Sequence, residues 1–530
     1  MSPNNFDNLP PNDVQFDQEI IDTPPEDDDT VKKAVPAWII SIVAHAVILG
    51  LLAVIVVASQ VEIAPPPVHI TVLPPTPPEE KPRPEHEIKP NDIKIDVEVE
   101  VEKPSPMSEL EVPVEEFNRE EVTDAEVPKG RDDAKADSEM GGPGALMAIG
   151  PGGGAAGMTG LRTGGGKKRA LGKYGGNRPS EAAVDSALRW FKRHQSPNGQ
   201  WDVDGYPANC TENPKCEPGT EHTGADGDIA GTGYAILCFL GAGFDHRMPS
   251  QYKPTVKAGI DWLLSVQKED GLFGDRNYEH PIAVMALAEA YAMSNDAALK
   301  GPSQKGIDVL LSRQIKDKTT GYGLGWDYKT SNDRNDSSVT GWCVMALKSG
   351  VAAGLNVGNG MDGAKQWLEG AWKAANKDFK PSDPYTDQSH FPYTWNQNSG
   401  ATDKEDRVPM GALCAVFLGH LGDDPMLNSM ANFIMAKQLP KTYPMDTYYM
   451  YYNTLAIFQV AGDRWEKWNG TVRDILVNAQ RTGDGCFDGS WDYEGTSFHG
   501  HKTGRILSTA YCCLSLEVYY RYRLMVEAQK

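Results

Sequence analysis

The chain has 530 residues, more than one compact domain needs, and a formal charge of −22. An acidic balance of this size argues against general nucleic-acid binding, because phosphate groups are neutralised by lysine and arginine side chains. Eight cysteines are too few for a dense disulfide framework in a chain of this length. The composition therefore excludes a small disulfide-rich scaffold and a general nucleic-acid-binding protein.

The N-terminal part of the sequence predicts a tail and a membrane anchor. Residues 1–34 are polar and acidic, so we expect a disordered tail. Within residues 35–61, the apolar run from Ala37 to Ala58 would span about 33 Å as a helix, which is enough for a bilayer core. A cleaved signal peptide is the alternative, but its apolar core would be unusually long. Two lysines precede the run, so the positive-inside rule predicts a cytoplasmic N-terminus and places the rest of the chain in the periplasm, anchored to the inner membrane.

Two polar residues interrupt the predicted anchor. Ser41 and His45 are four residues apart, which places them on one helix face. The pair resembles the anchor of the TonB family, in which a serine and a histidine at this spacing face a proton-driven motor complex. The resemblance implies a proton-channel partner that contacts Ser41 and His45. The alternative is a neutral histidine in a simple anchor.

Two segments of different composition follow the anchor. Residues 62–130 mix prolines with carboxylates and predict an extended stalk outside the cytoplasm. Strict alternation from Ile93 to Val101 is typical of a strand with one acidic face, which would bind a partner or simply extend the spacer. Residues 131–178 are rich in glycine and predict a flexible linker.

Helical periodicity dominates residues 179–525. Helices with a one-sided apolar stripe alternate with helices that are apolar nearly all round, which predicts an outer and an inner layer. We count six of each, and the natural closure is an all-α, α/α toroid with parallel inner helices; an open solenoid is the alternative. The predicted inner segments are Gly233 to Leu240, Pro281 to Ala292, Val339 to Leu347, Pro409 to Leu418, Tyr448 to Val460 and Ile506 to Val518.

A short motif recurs at the ends of the outer helices. Residues 195–201 read Gln-Ser-Pro-Asn-Gly-Gln-Trp, and partial copies begin at Gln267, Gln314, Gln438 and Gln480. These copies resemble the QW motif, Gln-x-x-x-Gly-x-Trp, of squalene cyclases, of the related protein prenyltransferase β-subunits and of bacterial membrane-anchored prenyltransferase/squalene-oxidase repeat proteins. The glutamine can bond to backbone groups at a helix end while the aromatic residue packs between helices. The motif therefore predicts the fold and leaves the activity open.

The resemblance also implies where a catalytic acid would lie. Class II cyclases protonate a polyene with the middle aspartate of Asp-x-Asp-Asp-Thr-Ala, and the nearest match here is Asp333, Asn335 and Asp336. The middle position holds Asn335, whose amide has no acidic proton to give. Asp336 is the remaining candidate acid, and the alternative role for it is the N-cap of the next helix.

A zinc site is the second implication of the resemblance. Protein prenyltransferases bind zinc through Asp-x-Cys and a later histidine, and Asp484 with Cys486 matches the first part. Ser508 stands where the family has histidine, so His499 and His501 would have to complete the site. The alternative is that Asp484 belongs only to the repeat turn. We expect no other cofactor.

Two cysteines lie in a polar loop. Cys210 and Cys216 would form a disulfide in an oxidising compartment or remain as two free thiols.

Polar and aromatic residues at the starts of the predicted inner helices form a candidate pocket, because parallel inner helices bring these starts together. Such a pocket would suit an isoprenoid, a carbocation or a peptide, although buried tyrosines are also ordinary core residues. The sequence therefore favours a catalytically degenerate toroid that binds an isoprenoid lipid or a polypeptide; the alternative is an active cyclase or zinc prenyltransferase that uses Asp336 or Asp484 with Cys486. The candidate pocket residues are Asp228, Glu279, His280, Trp342, Asp446, Tyr448, Tyr452 and Arg505.

Overall fold

The computed structural model describes residues 161–220, 224–329, 333–378, 389–401, 407–493 and 504–524. The predicted tail, anchor and stalk, with Ser41 and His45, lie outside the described residues, as do His499 and His501. None of the helices in the described ranges combines the length and the apolar character that crossing a bilayer requires.

Helices make up most of the described chain. We number them α1 to α14 in chain order; short helical turns also occur at Tyr206–Asn209, Ile434–Gln438 and Gly485–Phe487. The helices are α1 (Gly164–Tyr174), α2 (Arg178–His194), α3 (Ala225–Gly241), α4 (Lys253–Val266), α5 (Glu279–Ser294), α6 (Ala297–Arg313), α7 (Ser337–Ala352), α8 (Gly360–Ala375), α9 (Val408–Phe417), α10 (Pro425–Phe433), α11 (Thr447–Val460), α12 (Gly462–Ala479), α13 (Arg505–Leu516) and α14 (Val518–Arg521).

Six inner helices form a closed ring. In the described chain, α3, α5, α7, α9, α11 and α13 each contact the next, and α13 returns to contact α3. The even-numbered helices α2 to α12 lie outside them, and each is followed in the chain by its inner partner. The inner helices are apolar on all sides because they pack against neighbours in both layers. The predicted α/α toroid of six helical hairpins is therefore the observed architecture, and the open solenoid is not.

One small sheet departs from the all-helical prediction. Its strands are β1 (Asn335–Asp336), β2 (Thr394–Asn396) and β3 (Gly400–Ala401), paired antiparallel in the order β1-β2-β3. In register, Asn335 lies opposite Trp395, which lies opposite Ala401. The sheet covers the start of α7.

The glutamines of the repeated motif join neighbouring hairpins. Gln195 Nε2 donates to Gly199 O in its own turn at 2.8 Å and to Thr255 O in the next outer helix at 3.0 Å. Gln267 and Gln314 repeat this pair of bonds, and Gln480 repeats it across the closure of the ring. Each side chain therefore links its own turn to a backbone carbonyl of a neighbouring outer helix. Gln438 differs, because its Oε1 accepts from Asn453 Nδ2 at 3.0 Å.

The aromatic and glycine positions of the motif have equally specific roles. Trp201 Nε1 donates to Phe191 O in the preceding outer helix at 2.8 Å, and Trp326 and Trp491 make the equivalent bond. Gly199 has a φ of 99°, and a Cβ there would lie 2.2 Å from Ala258 O. Only glycine allows the turn to approach the next outer helix this closely.

The ordered ring begins earlier than the predicted boundary at residue 179. Residues 164–174, which we expected to belong to the flexible linker, form helix α1 and contact α14. Arg162 and Lys167 are buried against the ends of the inner helices. The glycine-rich composition predicts a linker. It cannot show that Arg162 and Lys167 make contacts with residues far away in the sequence, and these contacts hold the segment in place.

Candidate functional site

Asp336 acts as the N-cap of α7. Its Oδ1 accepts from Ser338 N at 3.0 Å and from Val339 N at 3.1 Å, and its Oδ2 accepts from Arg334 at 2.9 Å. Burial raises the pKa of this carboxyl, while the bonds from Ser338 and Val339 act in the opposite direction. Its oxygens are engaged by the helix start and by Arg334, as the capping hypothesis requires.

Asn335 and Asp333 face different surroundings. Asn335 is fully buried; its Oδ1 accepts from Gly325 N at 2.7 Å and its Nδ2 donates to Trp395 O at 3.1 Å. Asp333 lies near the surface and pairs with Lys318. The position that the resemblance assigns to the proton donor therefore fixes a loop to the small sheet, and the nearby carboxyls of Asp327 and Asp336 both pair with Arg334.

Aromatic side chains fill the interior of the ring. Trp342 stacks on Tyr451 with ring centres 6.1 Å apart and meets Tyr452 edge-on at 5.4 Å. Burial raises the pKa of each of these tyrosines well above the ordinary value, so they stay neutral. The aromatic residues of the predicted pocket, Trp342, Tyr448 and Tyr452, are therefore buried core residues, as the alternative interpretation had it. The members of this aromatic core are Tyr234, Trp342, Tyr448, Tyr451, Tyr452 and Tyr511.

A cleft lies at the mouth of the ring, where α3, α5 and α13 begin. Its volume is about 80 Å³, well below the roughly 300–1,000 Å³ of pockets that enclose drug-sized ligands. A single side chain fits such a cleft, whereas a polyprenyl chain does not. We call it the mouth cleft, and it is lined by Val203, Asp226, Gly227, Ala230, Tyr234, Arg276, Tyr278, Glu279, Tyr328, Leu507 and Tyr511.

Two carboxylates converge at the rim of the mouth cleft. A Cβ built on Gly274 would lie 2.6 Å from Glu279 Oε1 and 2.8 Å from Asp226 Oδ1. Glu279 Oε1 accepts from Arg276 N at 2.8 Å, and Arg276 Nε is 3.3 Å from Glu279 Oε2. Burial raises the pKa of Glu279, and the charge of Asp226 raises it further. Two carboxylates and one guanidinium give the rim an excess of acceptors.

The aromatic wall of the cleft is a stacked pair. The rings of Tyr278 and Tyr328 are 6.1 Å apart and 8° from parallel, and both are partly exposed. Tyr278 OH donates to Tyr448 OH at 3.2 Å, which ties the wall to the aromatic core. A tyrosine face beside carboxylates favours a cationic group.

Of the predicted pocket residues, the structure places Glu279 in the wall of the cleft, and His280 has another role. His280 Nδ1 accepts from Phe273 N at 3.1 Å and Nε2 donates to Gly306 O at 3.0 Å. Burial lowers the pKa of His280 to about 3, so the imidazole is neutral. This histidine joins the repeat turn to α6 and does not line the cleft.

Asp228 and Asp446 serve the backbone around the mouth. Asp228 Oδ1 accepts from Val203 N at 2.9 Å, and burial raises its pKa to about 6, with Asp202 and Asp204 adding to the shift. Asp446 caps α11 by accepting from the backbone of Tyr448 and Tyr449, both at 3.1 Å.

Arg505 lies beneath the mouth at the start of α13. Its guanidinium contacts Asp492 Oδ1 at 2.7 Å and Glu217 Oε2 at 3.0 Å and lies 4.4 Å from the ring centre of Phe487. It therefore holds the loop after α2 against the turn after α12.

The predicted Asp-x-Cys pair does not share a site. Asp484 pairs with Arg481 at the surface, whereas Cys486 is buried beside Cys210. Cys210 and Cys216 are free thiols in the structure, which corresponds to the second of the two alternatives for this pair. Both lie close to His194, a residue that the sequence analysis did not single out.

A more open groove lies outside the ring. It measures about 580 Å³ and runs between α8 and the start of α10, past Trp372 and Met426. His420 lies there between Asp424, 2.9 Å away, and Glu369, 3.4 Å away. None of the residues predicted to form a site lines this groove.

Three residues that line the mouth cleft, Asp226, Tyr278 and Tyr328, were not predicted from the sequence, and two of them lie next to or near predicted residues. Tyr278 directly precedes Glu279, and Asp226 lies two residues before Asp228. Tyr328 follows the motif aromatic Trp326 by two residues, as Tyr493 follows Trp491, and Asn277 N just before α5 donates to Tyr328 O at 2.7 Å. The positions of Asp226 and Tyr278 at the starts of inner helices were the available signal.

No protein-family model matches the chain, and neither does any curated protein sequence. Similar solved structures include the α-1,6-mannanase of Salegentibacter sp. HEL1_6, at 11% identity and a TM-score of 0.44, covering 64% of this chain and 98% of that one. The type II terpene cyclase of Scytonema has 10% identity and a TM-score of 0.39, with coverages of 67% and 99%. A D-mannose isomerase has 15% identity and a TM-score of 0.44, with coverages of 64% and 96%. We draw no functional conclusion from likenesses of this degree.

Proposed function

We propose that the chain is a membrane-anchored binding protein whose ring takes a cationic side chain of a polypeptide partner in the mouth cleft. The observation that carries the proposal is the cleft itself, which combines the stacked pair Tyr278 and Tyr328 with the carboxylates of Asp226 and Glu279. An ammonium or guanidinium group gains from both the ring faces and the carboxylates.

A peptide suits the cleft better than an isoprenoid does. The aromatic core is buried inside the ring, and the cleft that two of its members, Tyr234 and Tyr511, help to line measures about 80 Å³. An isoprenoid needs a long apolar channel, whereas a lysine or arginine needs a short one with acceptors at its rim. The stalk and anchor predicted before residue 131 would hold this binding ring at the periplasmic face of the inner membrane.

The test uses the full chain in detergent and a fluorescently labelled oligolysine peptide. We expect saturable binding that weakens with rising salt, and about tenfold weaker binding for Glu279→Gln or Tyr328→Ala. Asp261→Asn is the matched control, because Asp261 is an exposed carboxylate that pairs only locally, with Lys257 on α4. Equal binding of an oligoglutamate peptide, or full affinity in Glu279→Gln, would contradict the proposal.

The enzymatic alternative has less support. The amide of Asn335 is bonded at both ends, Asp336 is engaged as a cap, and Asp484 pairs with Arg481. Incubation of the full chain with squalene and with polyprenyl diphosphates tests this alternative. Any cyclised or prenylated product would refute a purely binding role.

The anchor carries a separate part of the proposal, a proton-channel partner at Ser41 and His45. We expect the full chain to co-purify with such a complex from membranes. Replacing both residues by alanine should abolish the association, while an exposed substitution in the ring such as Asp261→Asn should leave it intact. Association that survives the double replacement would remove the motor partner from the proposal.

A further inference from the structure

Three cysteines and one histidine meet where the ring closes. His194 is the last residue of α2, Cys210 and Cys216 belong to the loop that follows, and Cys486 lies in the turn after α12. The first and last hairpins are neighbours in the ring, so residues almost 300 positions apart in sequence come together. All four side chains are buried. We propose that His194, Cys210, Cys216 and Cys486 bind one zinc ion that fastens this closure.

The distances from the histidine nitrogen to the sulfurs fit a tetrahedral site, and Cys216, whose thiol donates to Cys486 O at 3.2 Å, completes the ligand set by turning its sulfur toward the ion. Zinc–sulfur and zinc–nitrogen bonds of about 2.3 and 2.0 Å in a tetrahedron place sulfur and nitrogen about 3.5 Å apart. His194 Nε2 is 3.4 Å from Cys210 Sγ and 3.7 Å from Cys216 Sγ. The ligand atoms of His194, Cys210 and Cys486 all lie within 4.8 Å of one another.

The histidine is oriented as a metal ligand. His194 Nδ1 is 2.8 Å from Trp190 O, and a carbonyl only accepts, so the ring proton resides on Nδ1. The lone pair of Nε2 therefore faces the sulfurs. Burial lowers the pKa of His194 to about 4, which keeps the imidazole neutral at neutral pH. A second ring nitrogen bonded to a backbone carbonyl is the usual support of a zinc-bound histidine.

Backbone amides support two of the sulfurs. Cys216 N donates to Cys210 Sγ at 3.4 Å, and Glu212 N donates to Cys486 Sγ at 3.2 Å. Such bonds stabilise a thiolate. In the metal-free protein, burial raises the pKa of Cys216 to about 12, while the nearby Arg505 acts in the opposite direction. Zinc binding therefore releases the proton of each ligating thiol to solvent, up to three per ion.

The arrangement indicates a structural site. Four protein ligands leave no open position for water or substrate, and the cluster is closed off by Trp190 and Tyr206. The site ties the loop of residues 210–219 to the last repeat turn, and Gly219 N of that loop donates to Val203 O at the cleft wall. This ligand set shares only Cys486 with the zinc site that the family resemblance implies.

Metal content and ligand identity are measured on the full chain, purified in detergent without chelator. We expect one zinc per chain by elemental mass spectrometry and an X-ray absorption shell of three sulfurs and one nitrogen. Cys210→Ser, Cys486→Ser and His194→Gln should each weaken zinc binding by more than about 100-fold, beyond the effect of second-shell changes. Cys414→Ala is the matched control, because Cys414 is a buried thiol of α9 outside the cluster.

The wild-type chain alone also tests the site, so an unstable variant does not leave it undecided. Cobalt in place of zinc should give the absorption of a tetrahedral thiolate complex, and a chelator should lower the unfolding temperature. Two results would overturn the proposal: a chain without bound metal that has a Cys210–Cys216 disulfide by peptide mapping, or bound zinc whose shell lacks sulfur. Neither result bears on peptide binding at the mouth cleft.

Discussion

The two ends of the ring use charged side chains in opposite ways. Where the inner helices end, Glu289 receives Arg162 at 2.9 Å and Arg521 at 3.2 Å, and all three side chains are fully buried. Where α3 and α5 begin, Glu279 pairs with Arg276, Asp226 lies close to Glu279, and both carboxylates border an open cleft. The charges at one end are neutralised within the protein, whereas those at the other have room for an external cation.

The chain's own N-terminal segment makes this difference. Arg162 donates to Leu240 O at 3.2 Å, and Lys167 donates to Ala242 O at 3.2 Å, both at the C-terminal end of α3. Cations are favoured there because helix C-termini carry partial negative charge. Lys167 also pairs with Glu181 at 3.0 Å. The segment before α2, which contains Arg162 and Lys167, thus closes this end of the ring, and we call it the plug. The mouth is the end that has space for a ligand.

The largest predicted effect on stability comes from removing the positive charge of Arg162 in the plug. Arg162→Met leaves buried Glu289 with one arginine, Arg521, and a hydrogen bond from Ser349, and we expect a loss of about 3 kcal/mol in the free energy of unfolding. Burial by itself would raise the pKa of Glu289, and the two arginines hold it below its ordinary value. Stability from this carboxyl is therefore present above the unfolded pKa and lost as the pH falls.

Chemical denaturation measures this change. Arg189→Met is the matched control, because Arg189 is exposed and its bonds are to Asp185 and Ser186 on its own helix. The control should change stability by less than about 0.5 kcal/mol. If Arg162→Met were equally mild, the closed end would not depend on the plug.

A smaller effect is expected at the mouth, where Asp336 caps α7. Asp336→Ala removes the acceptor for Ser338 N and Val339 N, and we expect a loss of about 1–2 kcal/mol. Asp336→Asn keeps a cap oxygen and should retain most of the stability. Asp333→Asn, on the exposed neighbour, serves as the control. An Asp336→Asn variant as unstable as Asp336→Ala would show that the charge matters more than the cap.

The sequence predicts the ring well because its signals are local and repeated. Gln195 and Trp201 lie six residues apart, and their spacing alone indicates a staple at a helix end. The motif match at Asn335 likewise indicates a missing acid. The plug is different, since nothing near Arg162 in sequence indicates Glu289 as its partner. The cluster of His194 and Cys486 also depends on the closure of the ring, which brings together residues with no shared pattern.

The smallest predicted effect is a pH-dependent change in stability caused by Asp228 at the mouth. Burial raises the pKa of Asp228 to about 6 from an ordinary value of 3.8. The carboxyl therefore contributes most stability below pH 3.8, where it is protonated in both states, and this contribution is lost as the pH rises through about 6. Asp228→Asn keeps an acceptor for Val203 N without the buried charge, so we expect it to be about 1 kcal/mol more stable than wild type at pH 7.5 and no more stable at pH 4.

Thermal unfolding of both proteins across this pH range measures the difference, and Asp261→Asn, an exposed carboxylate on α4, provides the baseline. A gain from Asp228→Asn that is constant with pH would mean that Asp228 titrates normally. A gain that grows between pH 4 and pH 6 would instead show that Asp228 ionises in this range against the cost of burial, with the negative charges of Asp202 and Asp204 adding to that cost.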